Sequence, residues 1–82
     1  MEEQEIFNKV VDILKPYARN QEALENVSRE LNILQDLKVN SSRLVDIVLA
    51  FEDEFDIEIA DEEADKVQTI GIAVDLIKEK LG

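Results

Sequence analysis

The chain reads as an all-α domain, a small three- to four-helix bundle with a long first loop. Three observations predict this. Apolar residues recur at three- and four-residue steps in three separate segments. The strand-like alternation from Asp56 to Ile59 has no second run to pair with. The chain has 82 residues, enough for one domain spanning 1–82, and a domain of that size buries roughly 60% of its unfolded surface.

In the first segment Ile6, Phe7, Val10, Val11, Ile13 and Leu14 fall near one face, and Pro16 ends the helix because its ring clashes with helical backbone and it lacks an N–H. The stretch from Tyr17 to Asn40 is too long to be structureless in a compact domain. Within it, Ala23, Leu24 and Val27 suggest a short amphipathic helix capped by Asn20, and Leu31, Ile33, Leu34 and Leu37 are expected to dock onto the bundle. The second helix is predicted from about Ser41 to Phe55, capped by Asn40 or Ser41. Its apolar face is Leu44, Val45, Val48, Leu49, Phe51 and Phe55, with Asp46 and Asp53 facing out. Asp56 to Ile59 reads as an extended loop pinned by Ile57 and Ile59, after which Asp61 is positioned to cap a short turn at Glu62 to Lys66. The third periodic segment starts after Thr69, its N-cap, and reaches Leu81. Its stripe is Ile70, Ala73, Val74, Ile77 and Leu81, while Lys78 and Lys80 suit the negative end of the helix dipole.

Composition narrows the function. An apolar share of 45% is enough to form a core, so the charge does not imply disorder. Cysteine and histidine are both absent, which removes a Cys nucleophile, a His base and the common zinc ligands. A net charge of −11 repels nucleic acid and anionic lipid and favours partners with basic patches. The acidic start lacks the basic region of a signal peptide, and no apolar run approaches the ~20 residues that span a bilayer. A cytoplasmic, free-standing, monomeric protein is expected.

The acidic stretch from Phe51 to Lys66 does not fit a calcium loop. Counting from Asp56, the fifth position is Ala60 and the sixth, where glycine is required, is Asp61. No metal site is expected. Paired carboxylates serve catalysis only when a shielded cleft pushes their pKa values apart, and nothing in the sequence indicates one, so no enzyme is expected. Ser41 stands where loop meets helix. By position alone it is a helix cap, and Ser42 is its chemical equal.

The surrounding pattern separates the two serines. Leu37 to Ile59 runs through Asn40-Ser41-Ser42 into an acidic helix ending Glu52-Asp53-Glu54-Phe55, then into the extended Ile57-Glu58-Ile59. It resembles the acyl carrier protein family, in which Asp-Ser-Leu opens an acidic helix, a Glu-Glu-Phe-type sequence ends it and Ile-Glu-Ile follows. The resemblance continues through Ala60 to Val67 and through Thr69 to Ile77, the family's last helix, and covers about half the chain closely. It implies that Ser41 carries 4′-phosphopantetheine through a phosphodiester, with acyl groups held as thioesters on the terminal thiol. That would explain how a chain without cysteine handles thioesters.

The implied partners are a phosphopantetheinyl transferase and acyl-transferring or synthase enzymes of fatty acid, polyketide or lipid biosynthesis, met by Asn40, Arg43, Asp46 and Asp53. The implied acyl pocket is an apolar interior lined by Val45, Leu49, Ile57, Ile59, Ala64, Val67 and Ile70. Three positions depart from the family. Asn40 stands where the family has Asp, Ser42 where it has Leu, and Arg43 where it usually has an acid. Asn40 retains the cap but not the negative charge, and Arg43 repels a basic surface. Two readings stay open: a specialised carrier, and a carrier-fold interaction module that has lost its arm.

Overall fold

The computed structural model describes residues 2–82; Met1, first residue of the predicted 1–82 domain, lies outside the described residues. The first helix, α1, spans Glu3–Leu14 and buries Ile6, Val10 and Leu14, one residue per turn. It ends as predicted before Pro16, with the Lys15 N–H donating to the Val11 carbonyl. α1 lies chiefly along the last helix, α4 (Ile70–Leu81), and also touches α2 (Leu44–Phe55).

The long first loop is ordered by its own polar side chains and by α4. A 3₁₀ helix forms at Gln21–Asn26 and half-buries Ala23 and Leu24. Asn20 precedes it without capping it; its Nδ2 instead donates to the Asp36 carbonyl at 2.9 Å. Asn32 Oδ1 accepts from the Leu34 and Gln35 N–H groups, while Asp36 Oδ2 accepts from the Asn32 N–H, closing a tight turn. That turn drives Ile33 and Leu37 fully into the core. The loop is tied to the start of α4 by three backbone bonds: Ile33 N–H to Gln68, Ile70 N–H to Leu31 and Gly71 N–H to Arg29. Gly71 lets the two backbones approach closely there, since a Cβ would stand 2.9 Å from the Arg29 carbonyl oxygen.

The second helix opens as a 3₁₀ turn at Ser41–Arg43 and becomes α-helical only from Leu44. Its buried residues are Ile47, Val48, Phe51 and Phe55. This corrects the predicted face, because Val45 and Leu49 are 67% and 54% exposed and Ile47 is fully buried. Asp56, in the left-handed region at φ 54°, ends α2, and the extended loop follows. α3 spans Asp61–Ala64. Asp61 is its first residue and not its cap: Ala60 holds the cap position, and the Glu63 carboxylate reaches back to the Ala60 N–H at 3.0 Å. α4 starts as predicted, with Thr69 Oγ1 accepting from the Ile72 N–H, and buries Ile70, Gly71, Ala73, Val74 and Ile77. Leu81 is 39% exposed and leaves the predicted stripe. Among the described residues there is no strand, only an isolated bridge between Asn32 and Thr69, and no helix is long and apolar enough to cross a membrane.

Candidate functional site

The site begins at Asn40. Its extended backbone leaves the side chain free to accept from the Ser42 N–H at 3.0 Å, one of the donors a helix start leaves unpaired. The same oxygen accepts from Ser42 Oγ at 3.0 Å. The two adjacent serines are thereby distinguished. The Ser42 hydroxyl is engaged, whereas that of Ser41 is exposed and makes no hydrogen bond among the described residues.

Ser41 stands at the edge of a cleft of about 490 Å³ between α2 and α3. Val45 and Leu49, one and two turns further along α2, form one wall, and Ile59 and Ala64 form the other. These four apolar residues explain each other: Val45 and Leu49 are exposed because they face the cleft and not the core. Glu52, Asp61 and Asp65 add carboxylates to the lining. Glu52 also has a structural role that the sequence did not disclose, since its Oε2 accepts from the Ile59 N–H at 2.8 Å and so fixes the loop carrying Ile59.

The remaining pocket candidates lie elsewhere. Val67 and Ile70 are core residues, 3% and 0% exposed, and line no part of the cleft; Ile57 is half-buried outside it. Of the pocket residues read from the sequence, Val45, Leu49, Ile59 and Ala64 line this cleft, and Ile57, Val67 and Ile70 do not. Leu44 and Val48, not foreseen as pocket residues, also line it.

Around the site, Arg43 Nη1 lies 3.3 Å from Asp46 Oδ2, one turn ahead, so those two predicted docking charges partly cancel. Asp53 is exposed and makes no ion pair among the described residues. Farther along the wall, hydrogen bonds from Lys80 and from the Ala60 N–H, with the Lys80 charge, hold the Glu63 carboxyl below the usual glutamate range. This ties α3 to α4 through a 2.7 Å ion pair. No group of three or more His, Cys, Asp or Glu among the described residues is arranged to hold a metal ion.

The fold and site define a small acidic helical bundle with a free serine hydroxyl at the edge of a largely apolar cleft. The comparisons define that class further. No protein-family model matches the chain. It is 43% identical over 79 residues to the acyl carrier protein of a Picosynechococcus species, covering 96% of this chain and 95% of that protein. It is 42% identical over 83 residues to the acyl carrier protein of Lactobacillus acidophilus, with both chains covered completely. Among solved structures, the acyl carrier protein from Enterococcus faecalis matches with a TM-score of 0.81 and 38% identity over 98% of this chain and 99% of that one. At this identity and coverage the chain belongs to the acyl carrier protein family. It is a carrier of acyl groups and not an enzyme. Members generally carry phosphopantetheine and work with acyl-transferring and synthase enzymes.

Proposed function

We propose that Ser41 Oγ is the attachment point of the phosphopantetheine arm and that the cleft beside it shelters the acyl chain. The observation that carries this reading is the contrast between the serines: Ser41 has a free hydroxyl on an apolar cleft, and Ser42 is tied to Asn40. Transfer joins Ser41 Oγ to the phosphorus of the donor, coenzyme A, as its phosphoanhydride bond breaks and adenosine 3′,5′-bisphosphate leaves with the electron pair. The hydroxyl proton passes to a base on the transferase. Once attached, the arm supplies a thiol for thioester chemistry, as such groups do for their carriers. The chain's own residues then expose the arm at the turn, screen apolar carbons with Val45, Leu49, Ile59 and Ala64, and steer basic partners with Asp53 and neighbouring acids. The domain, 1–82, works as a cytoplasmic monomer delivering acyl groups in fatty acid, polyketide or lipid biosynthesis.

Incubation with coenzyme A and a broad-specificity phosphopantetheinyl transferase, followed by intact mass and peptide mapping, tests the assignment. One phosphopantetheine on Ser41, lost in Ser41→Ala, is expected. Modification of Ser42 would refute the register. A second reading, an interaction module without the arm, draws on Asn40, Ser42 and Arg43. It predicts an unmodified Ser41 in protein recovered from its native cell.

A further inference from the structure

Next to the Ser41 turn lies a second depression, of about 500 Å³, whose charge is opposite to that of the molecule. Arg19 and Lys38 line it, with Gln35, Asn40 and the aliphatic Leu34 and Val39, and no carboxylate takes part. Four other depressions on this surface each include two or more carboxylates. In a chain of net charge −11, two exposed bases sharing one hollow without an acid are unusual.

Their proximity is built into the backbone. The Arg19 and Asn20 N–H groups both donate to the Leu37 carbonyl at 3.0 Å, which sets Arg19 beside Lys38. Lys38 itself holds a left-handed conformation, φ 56°, uncommon for a residue with a Cβ. Neither base forms an ion pair among the described residues. Asn40 contributes a donor as well. Its oxygen is committed to the Ser42 N–H and Oγ, which fixes the amide orientation and leaves Nδ2 without a partner among the described residues. A guanidinium, an ammonium and an amide NH₂ thus line one hollow that adjoins the Asn40–Ser41 peptide. Such a donor set matches an oxyanion with several acceptor oxygens.

We infer that the Arg19–Lys38–Asn40 depression is a phosphoryl-binding site serving Ser41. The ligand chemistry has two sources at this place: the nucleotide end of the coenzyme A donor, and the phosphodiester of the arm once attached. The assignment of sources rests on Ser41 as the attachment point; the anion site itself does not.

The test is a titration of ¹⁵N-labelled unmodified protein with adenosine 3′,5′-bisphosphate, and separately with inorganic phosphate, at constant ionic strength. Saturable amide shifts confined to Arg19 and the 34–40 segment are expected in the millimolar range, tighter for the bisphosphate. The Arg19→Ala/Lys38→Ala variant should bind at least about tenfold more weakly, the loss of a charge-assisted contact. Both side chains are exposed, so the variant's remaining amide spectrum reports that it is folded. Absence of saturable shifts, or equal shifts in the folded variant, overturns the site. Repeating the titration on protein modified at Ser41 separates the sources. Unchanged binding assigns the site to the donor nucleotide. Lost binding with shifted Arg19 and Lys38 resonances assigns it to the arm's phosphodiester. Failure of Ser41 to accept the arm would count against the attachment reading alone, because the first titration uses unmodified protein.

Discussion

At Asn40, one side-chain oxygen both starts the turn that displays Ser41 and holds the hydroxyl of Ser42. Asn40→Ala removes that acceptor and should lower stability by about 1 kcal/mol, the usual loss of an N-cap, read as a shift of the urea midpoint. The same change frees Ser42 Oγ. Gly71 is sensitive for another reason. Alanine is the better helix former by ~1 kcal/mol, but here its Cβ would meet the Arg29 backbone oxygen at 2.9 Å and the Arg29 Cβ at 3.0 Å. Because one obstacle is backbone, Gly71→Ala should be net destabilising by about 1 kcal/mol, the overpacking penalty outweighing the propensity gain. An unchanged or raised midpoint would show that the loop can yield.

At the scale of elements, α2 has two apolar faces with different duties. Ile47 is fully buried and Leu49 is 54% exposed on the cleft. Ile47→Ala should cost about 2–5 kcal/mol, while Leu49→Ala should change stability by less than about 0.5 kcal/mol and, on the proposed sheltering role of the cleft, speed hydrolysis of an attached acyl chain. Denaturation and hydrolysis rates of acylated protein, measured on both variants, check the division. The α3–α4 tie has a pH signature. Glu63 is held below its ordinary value by Lys80 and the Ala60 N–H, so its contribution is present above the unfolded value of about 4.3 and is lost as pH falls through its lower folded value. Glu63→Gln keeps an acceptor for Ala60 and removes the charge. The difference in melting temperature between it and the parent should therefore be largest near neutrality and close towards pH 3; a gap independent of pH would count against the ion pair.

For the whole molecule, net charge −11 is spread over a body with a longest extent of 32 Å and a radius of gyration of 11.5 Å. At 0.01 M salt the screening length is ~30 Å, so every charge feels nearly every other; at 0.1 M it is ~10 Å and repulsion becomes local. Ion pairs such as Lys9–Glu54 and Lys78–Glu3 weaken over the same range, but the acids are in large excess. The melting temperature should therefore rise between these salt concentrations, and a flat response would show that self-repulsion is not limiting. On the proposed role of the cleft each sheltered methylene would be worth ~0.8 kcal/mol, so a long acyl chain should raise the melting temperature above that of the unacylated form, and no change would count against sheltering.

The residues by themselves determined α1 and α4, because a strong apolar period with a terminating proline at one and a threonine cap at the other leaves few alternatives. They also narrowed the cap of the second helix to Asn40 or Ser41 and carried the resemblance to the family, since capping side chains and motif order are both written along the sequence. The sequence could not place Val45, Leu49, Val67 and Ile70. All are aliphatic residues on helical stretches or beside them, and only the packing of the elements in space decides which of them meet a cleft and which fill the core. In the first loop the short helix near Ala23 and the docking of Ile33 and Leu37 were legible, but the path of the chain between them was not. The loop has little period of its own, and its shape comes from local side-chain bonds of Asn20, Asn32 and Asp36 together with the distant Arg29, Leu31 and Ile33 contacts with the start of α4. The donor-lined hollow at Arg19 and Lys38 joins residues 19 positions apart. Tertiary structure alone could reveal it, because charge complementarity depends on distance in space and the sequence records only distance along the chain.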